Sequence, residues 1–195
     1  GQYRYCAEIY MTYLLDGMGV ENLIHKNQHL MAYHFIYRHR PDGSHLSDSD
    51  NYDVPLSGDQ NTEPLFFAGN FYNDPYLRQE FYRNTNWRLR NNSDVLSPVL
   101  FLALNKPEVG LKTYESLPLS MYGGDKHGVM TARTSWDEGV GSNTMMVSMK
   151  IIEFITRSHT HLDSGSFEIY YKGSLALDSG IYNGQAGFDI DGNPV

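Results

Sequence analysis

The sequence predicts an α+β protein of more than one domain, with helices first and strands afterwards. Three observations predict it. Apolar residues recur at three- and four-residue spacing through the first half of the chain, short strand-like runs between glycine turns fill the second half, and strands and helices do not alternate as βαβ units would. At 195 residues the chain has room for one large domain or two small ones of about 100–150 residues or less. The change of character near residues 106–116 divides it into a helical part, 1–110, and a strand part, 111–195.

From Tyr3 the positions Tyr5, Cys6, Ile9, Tyr10, Tyr13 and Leu14 keep helical spacing until Gly17 and Gly19 stop the run, which predicts a helix near residues 3–16. Leu23, Leu30, Met31, His34, Phe35 and Tyr37 continue a similar period as far as Pro41-Asp42-Gly43, a turn that no helix passes through. The two helices are expected to form a hairpin. Residues 42–63 are rich in Asp, Ser, Gly and Asn and read as a long surface loop. Pro64 opens a third apolar stretch that runs to Tyr72, breaks at Asn73-Asp74-Pro75 and resumes from Tyr76 to Tyr82. A further helix is predicted between about Asp94 and Leu104, with Asp94 or Ser97 as its N-cap and Pro98 in the first turn. Strands are predicted at Leu117 to Tyr122, Val129 to Thr134, Thr144 to Phe154, Phe167 to Tyr171 and Leu175 to Asp178.

A formal net charge of −8 leaves no basic footprint for nucleic acid or an anionic membrane. No run of apolar residues is long enough to span a bilayer, and the single Cys6 rules out an intramolecular disulfide. Aromatic residues make up 13% of the chain, with fifteen Tyr. Such rings stack on the C–H faces of sugars, and equally serve as amphipathic packing at helix and sheet surfaces. The chain opens at Gly1 directly in helical pattern, so both ends are expected to be cuts within a longer protein.

The densest chemistry lies in Ser158-His159-Thr160-His161-Leu162-Asp163-Ser164-Gly165-Ser166-Phe167. In an extended backbone His159 and His161 project from one face, and Asp163 or Asp178 would complete a zinc site of ordinary donors. The competing reading is a polar cluster in which the imidazoles bond Asp163 and loop backbone. Asp178 likewise reads either as a ligand or as a turn carboxylate accepting from the amides of Gly180 and Ile181. His127 reads as a solvated loop histidine. Arg133, inside a strand, needs an anion or carbonyls around it, supplied by a substrate carboxylate or, as the simpler reading, by Asp137 or Glu138. Tyr3, Arg4 and Tyr5 open the first helix, where a tyrosine can move a proton and an arginine can fork onto a carboxylate.

His159-x-His161-x-Asp163-x-Gly165-Ser166-Phe167, then Tyr170-x-Lys172-Gly173 and Leu177-Asp178-Ser179-Gly180-x-Tyr182, resembles the central signature of the heparinase II/III-like polysaccharide lyases. Gly128-Val129-Met130-x-x-Arg133-x-x-Trp136-Asp137 resembles the strands leading into it, and Tyr3-Arg4-Tyr5 and Arg40-Pro41-Asp42-Gly43 resemble late helices of the family's helical domain. The resemblance implies the end of an incomplete (α/α) toroid followed by an antiparallel β-sandwich. It implies cleavage of an acidic, uronate-containing polysaccharide by β-elimination, in the periplasm or outside the cell. It assigns His159 as the active-site histidine, Arg4 as a substrate-contacting arginine of the catalytic set, and Tyr182 to the edge of the substrate cleft; Tyr3 and Arg133, from their own chemistry, are expected to join Tyr182 in substrate binding. It also separates the two histidines, giving His161 and Asp178 to a structural Zn2+. The family's proton-transferring tyrosine would fall ahead of Gly1 and a third zinc ligand after Val195.

Two other readings remain. A metal-dependent hydrolase of the amidohydrolase kind also uses His-x-His, but there the motif ends a first barrel strand and βα units follow. A glycan-binding module without catalysis would use the tyrosines and the zinc alone.

Overall fold

The computed structural model describes residues 2–20, 27–46, 62–85, 98–125, 128–151 and 164–176. Its elements keep the predicted order. Helices α1 (Gln2–Gly17), α2 (Tyr33–Arg38), α3 (Thr62–Phe71), α4 (Pro75–Thr85) and α5 (Pro98–Leu104) come first. Strands β1 (Ser120–Tyr122), β2 (Val129–Arg133), β3 (Met145–Lys150), β4 (Phe167–Tyr171) and β5 (Ser174–Ala176) follow. Among the described residues no helix is long and apolar enough to cross a membrane.

The helical core is built around α3. Leu65, Phe66, Phe67 and Ala68 are consecutive and all buried, so this helix is enclosed on every side rather than presenting one stripe. α1 packs chiefly against α3 through Tyr10 and Tyr13, whose rings meet Phe67 at 4.4 and 5.9 Å. The expected hairpin is therefore only part of α1's surroundings. Tyr5 and Thr12 do reach Gln28, in a short 3-10 turn over Gln28–Ala32 ahead of α2, but α1's main apolar partner is more distant in sequence.

The break between α3 and α4 follows from its residues. Asn73 takes φ 54°, a left-handed value that asparagine tolerates better than most residues. The Asp74 amide then donates to the Gly69 carbonyl at 2.8 Å. Asp74 Oδ1 accepts from the amides of Tyr76 and Leu77 at 2.9 and 3.1 Å, and Pro75 sits at the first helical position, where a missing N–H costs nothing. α4 lies close against α3 because Gly69 has no side chain: a Cβ there would stand 3.0 Å from both the Arg78 Cγ and the Arg78 amide nitrogen.

The strands form one antiparallel sheet in the order β1-β2-β3-β4-β5. Alternation and register divide it into two faces. One carries Met130 and Ala132, opposite Met149 and Val147, with Ile169, Phe167 and Tyr171 beyond; it is apolar, and Phe167 and Tyr171 are exposed. The other carries Thr131, Arg133, Met146, Ser148, Lys150, Glu168 and Tyr170. This second face turns toward the helices, with Leu46 packed on Met146 and Tyr170.

The stretch near residues 106–116 contributes Tyr114 to a buried cluster that also draws on the helices. Tyr114 and Trp136 belong to the same buried cluster as Tyr37 and Phe66, with Leu117 and Met121 packed against it. The helical and strand parts thus share a core.

Candidate functional site

His159, His161 and Asp163 fall in the stretch between β3 and β4, and Asp178 and Tyr182 follow β5; all five lie outside the described residues, as does His127. Tyr3 and Arg4 are in the first turn of α1, with side chains outside the described set. What is described is the frame that holds these segments. The Gly165 amide donates to the Lys150 carbonyl at 2.7 Å and the Lys150 amide to the Ser166 carbonyl at 3.0 Å. Both ends of the stretch carrying the histidine motif are therefore fastened side by side. β5 pairs with β4 in antiparallel fashion through Ile169 and Ala176, so the chain leaves β5 at the end of the sheet where β4 begins.

Arg133 differs from expectation. Its Nε donates to the Ser135 carbonyl at 2.8 Å, a second nitrogen lies 3.5 Å from the His39 carbonyl, and the guanidinium stands 4.0 Å over the Trp136 ring. Glu138 is bonded instead to Arg83 at 2.5 Å, and Asp137 accepts from Ser135 Oγ. Arg133 is buried, at 5% exposure, and burial followed by repulsion from Arg83 lowers its pKa to about 10, which keeps it charged at neutral pH. The carbonyls and the indole replace the carboxylate partner predicted from the sequence.

A cluster that the sequence did not signal lies beside it. Glu80 is fully buried in α4. His39 Nδ1 stands 3.0 Å from its Oε1, Asn84 Nδ2 donates to Oε1 at 3.2 Å, Tyr114 Oη donates to Oε2 at 2.6 Å and Arg83 reaches Oε2 at 3.5 Å. Burial pushes the carboxyl's pKa up, but His39, Arg83 and the Tyr114 hydroxyl outweigh it and hold it at about 2. Burial lowers the pKa of His39 despite Glu80. A neutral ring donating Nδ1–H to an ionised Glu80 satisfies both. Helical spacing places Arg83 and Asn84 beside Glu80, a trace visible in the sequence. His39 and Tyr114 come from distant segments and leave no such trace.

Arg40 ties the helices to the sheet. It is bidentate on Asp42, at 3.2 and 2.6 Å, and lies 4.8 Å over the Tyr170 ring. Burial raises the Asp42 pKa, but the Arg40 guanidinium and the Ser44 amide bring it below the usual carboxylate range.

Among the described residues, no group of three or more His, Cys, Asp or Glu side chains is arranged to hold a metal ion. No protein-family model matches the chain, and no curated protein matches it significantly.

Proposed function

We propose that the protein is a polysaccharide lyase that cleaves a uronate-containing acidic polysaccharide by β-elimination, as the end of a helical toroid joined to a β-sandwich. The observation that carries this reading is the sheet register. The two ends of the stretch bearing His159 and His161 are fastened together at Lys150 and Gly165, and β5 leads toward Asp178 from that same end of the sheet. The apolar sheet face with Phe167 and Tyr171 exposed, and the exposed Met11 and Leu14 of α1 with Met18 just after it, support the sandwich and the toroid, since apolar faces of this kind ordinarily pack against further layers.

In the reaction, a base takes the proton at C5 of the uronate, the C4–O bond breaks as the C4–C5 double bond forms, and the leaving oxygen gains a proton. His159 serves at the proton in flight, and Arg4 offsets charge gathering on the uronate carboxylate. Tyr3 and Tyr182 contact the sugar rings. His161 and Asp178 are an imidazole and a carboxylate, donors suited to Zn2+, which would hold the connection after β3 to the segment after β5.

Absorbance near 235 nm, from the unsaturated uronate, tests the proposal when the protein meets heparan sulfate, alginate and related polymers. Growth of that band supports elimination. New reducing ends without the band would mean a hydrolase, and binding with neither would mean a glycan-binding module; either result overturns the lyase reading.

A further inference from the structure

The turn that carries the helices onto the sheet is closed by two histidines. His39 and His45 face each other as an isolated antiparallel bridge, their rings edge to face at 5.6 Å. The Leu46 amide donates to the Arg38 carbonyl at 2.9 Å and the Arg40 amide to the Ser44 carbonyl at 2.8 Å, and Leu46 packs on Met146 and Tyr170. His45 Nε2 is buried and has no hydrogen-bond partner among the described residues. We propose that His45 is an acid-sensitive catch: its neutral ring seats the turn against α4 and the sheet, and its protonation releases the turn.

The surroundings explain why charge is excluded there. α2 presents His34 and Arg38, the turn presents His39 and α4 presents Glu80 to the ring; Arg83 and Glu138 act on His39, Arg133 reaches the His39 carbonyl and Arg40 the His45 carbonyl, and Asp42 holds Arg40. Glu80 already accepts from His39, Asn84, Tyr114 and Arg83, so an imidazolium at His45 finds this described carboxylate already engaged. A proton on Nε2 would be a buried donor without an acceptor among the described residues. Burial, then Arg38 and His39, accordingly depress the His45 pKa to about 3. A histidine that is neutral when closed and ordinary when open favours closure above its unfolded pKa, and loses that contribution as pH falls from there toward the folded value. The catch is independent of the lyase reading.

Amide hydrogen exchange on the full chain tests it. Between pH 7.5 and 5.0 the protection factors of the Leu46 and Arg40 amides are expected to fall about 30-fold, the ratio that an open-state pKa of about 6.5 dictates, while amides inside β3 keep theirs. In His45→Gln the fall should vanish. An equal fall in the variant, or none in the wild type, overturns the proposal. NMR titration of the wild-type His45 ring gives a readout that needs no variant. A ring that stays neutral in the closed state at pH 5 supports the catch, and one that titrates near 6.5 with protection intact overturns it.

Discussion

The Tyr114 hydroxyl donates to Glu80 Oε2 across 2.6 Å, joining the segment that enters the sheet to the middle of α4. Glu80 has no exposure at all, and among the described residues its carboxylate is held by hydrogen bonds from His39, Asn84 and Tyr114 and by the charge of Arg83. Glu80→Ala strips those donors of their acceptor and should cost about 3–5 kcal/mol, the range for breaking a buried charged pair. Tyr114→Phe removes one bond to a charged group and should cost about 1.5–3 kcal/mol. Urea unfolding checks both, and a cost below 1 kcal/mol for Glu80→Ala would mean that the cluster is incidental packing.

Acid titration should separate two groups. Glu80 is held at about 2 against its ordinary 4.5, so the folded state binds its proton less readily than the unfolded chain. Its contribution is present above pH 4.5 and is lost as pH falls below that value. Between pH 6.5 and 4.5 the fall in stability belongs to the buried histidines instead. Glu80→Gln should flatten the stability profile below pH 4.5 and leave the higher window unchanged, as followed by the urea midpoint at stepped pH.

Gly69 marks where α3 and α4 touch. Its added methyl would meet the Arg78 backbone nitrogen at 3.0 Å, and backbone cannot swing aside as a side-chain tip can. Gly69→Ala should therefore lower stability by about 1–3 kcal/mol through overpacking, despite the better helix propensity of alanine. Thermal unfolding would register it, and an unchanged or raised midpoint would show that the two helices separate at little cost.

Local signals carried much of the fold. Gly17 and Gly19 ended the first predicted helix at residue 16, and α1 ends at Gly17; Asn73-Asp74-Pro75 stopped one helix and started the next because each residue suits its place in that turn. The strand edge at Ser120 was read a few residues long because the apolar content of Leu117 and Leu119 continues past the hydrogen-bonded ladder. Long-range partners were not legible. Periodicity says that α1 has an apolar stripe but not that Phe67 lies under it, and an arginine in a strand calls for partners without naming Ser135, His39 and Trp136. Of the site residues, Arg133 alone has a described side chain, and the motif around His159 was legible by its resemblance rather than by geometry.

The division of work between His159 and His161 gives the last prediction. If one imidazole meets the sugar and the other holds Zn2+ with Asp178, the substitutions should separate. His159→Ala should abolish growth of the 235 nm band while leaving bound zinc and the thermal midpoint as they were. His161→Ala should reduce bound zinc and lower the midpoint, because metal affinity that builds on folding adds to folding stability. A chelator should lower the wild-type midpoint and leave that of His161→Ala unchanged, since there is nothing left to remove. Metal analysis and calorimetry on the same samples check this without any substrate. Equal zinc loss in both variants would put both rings on one metal, the arrangement that the two-residue spacing alone suggests for an extended strand.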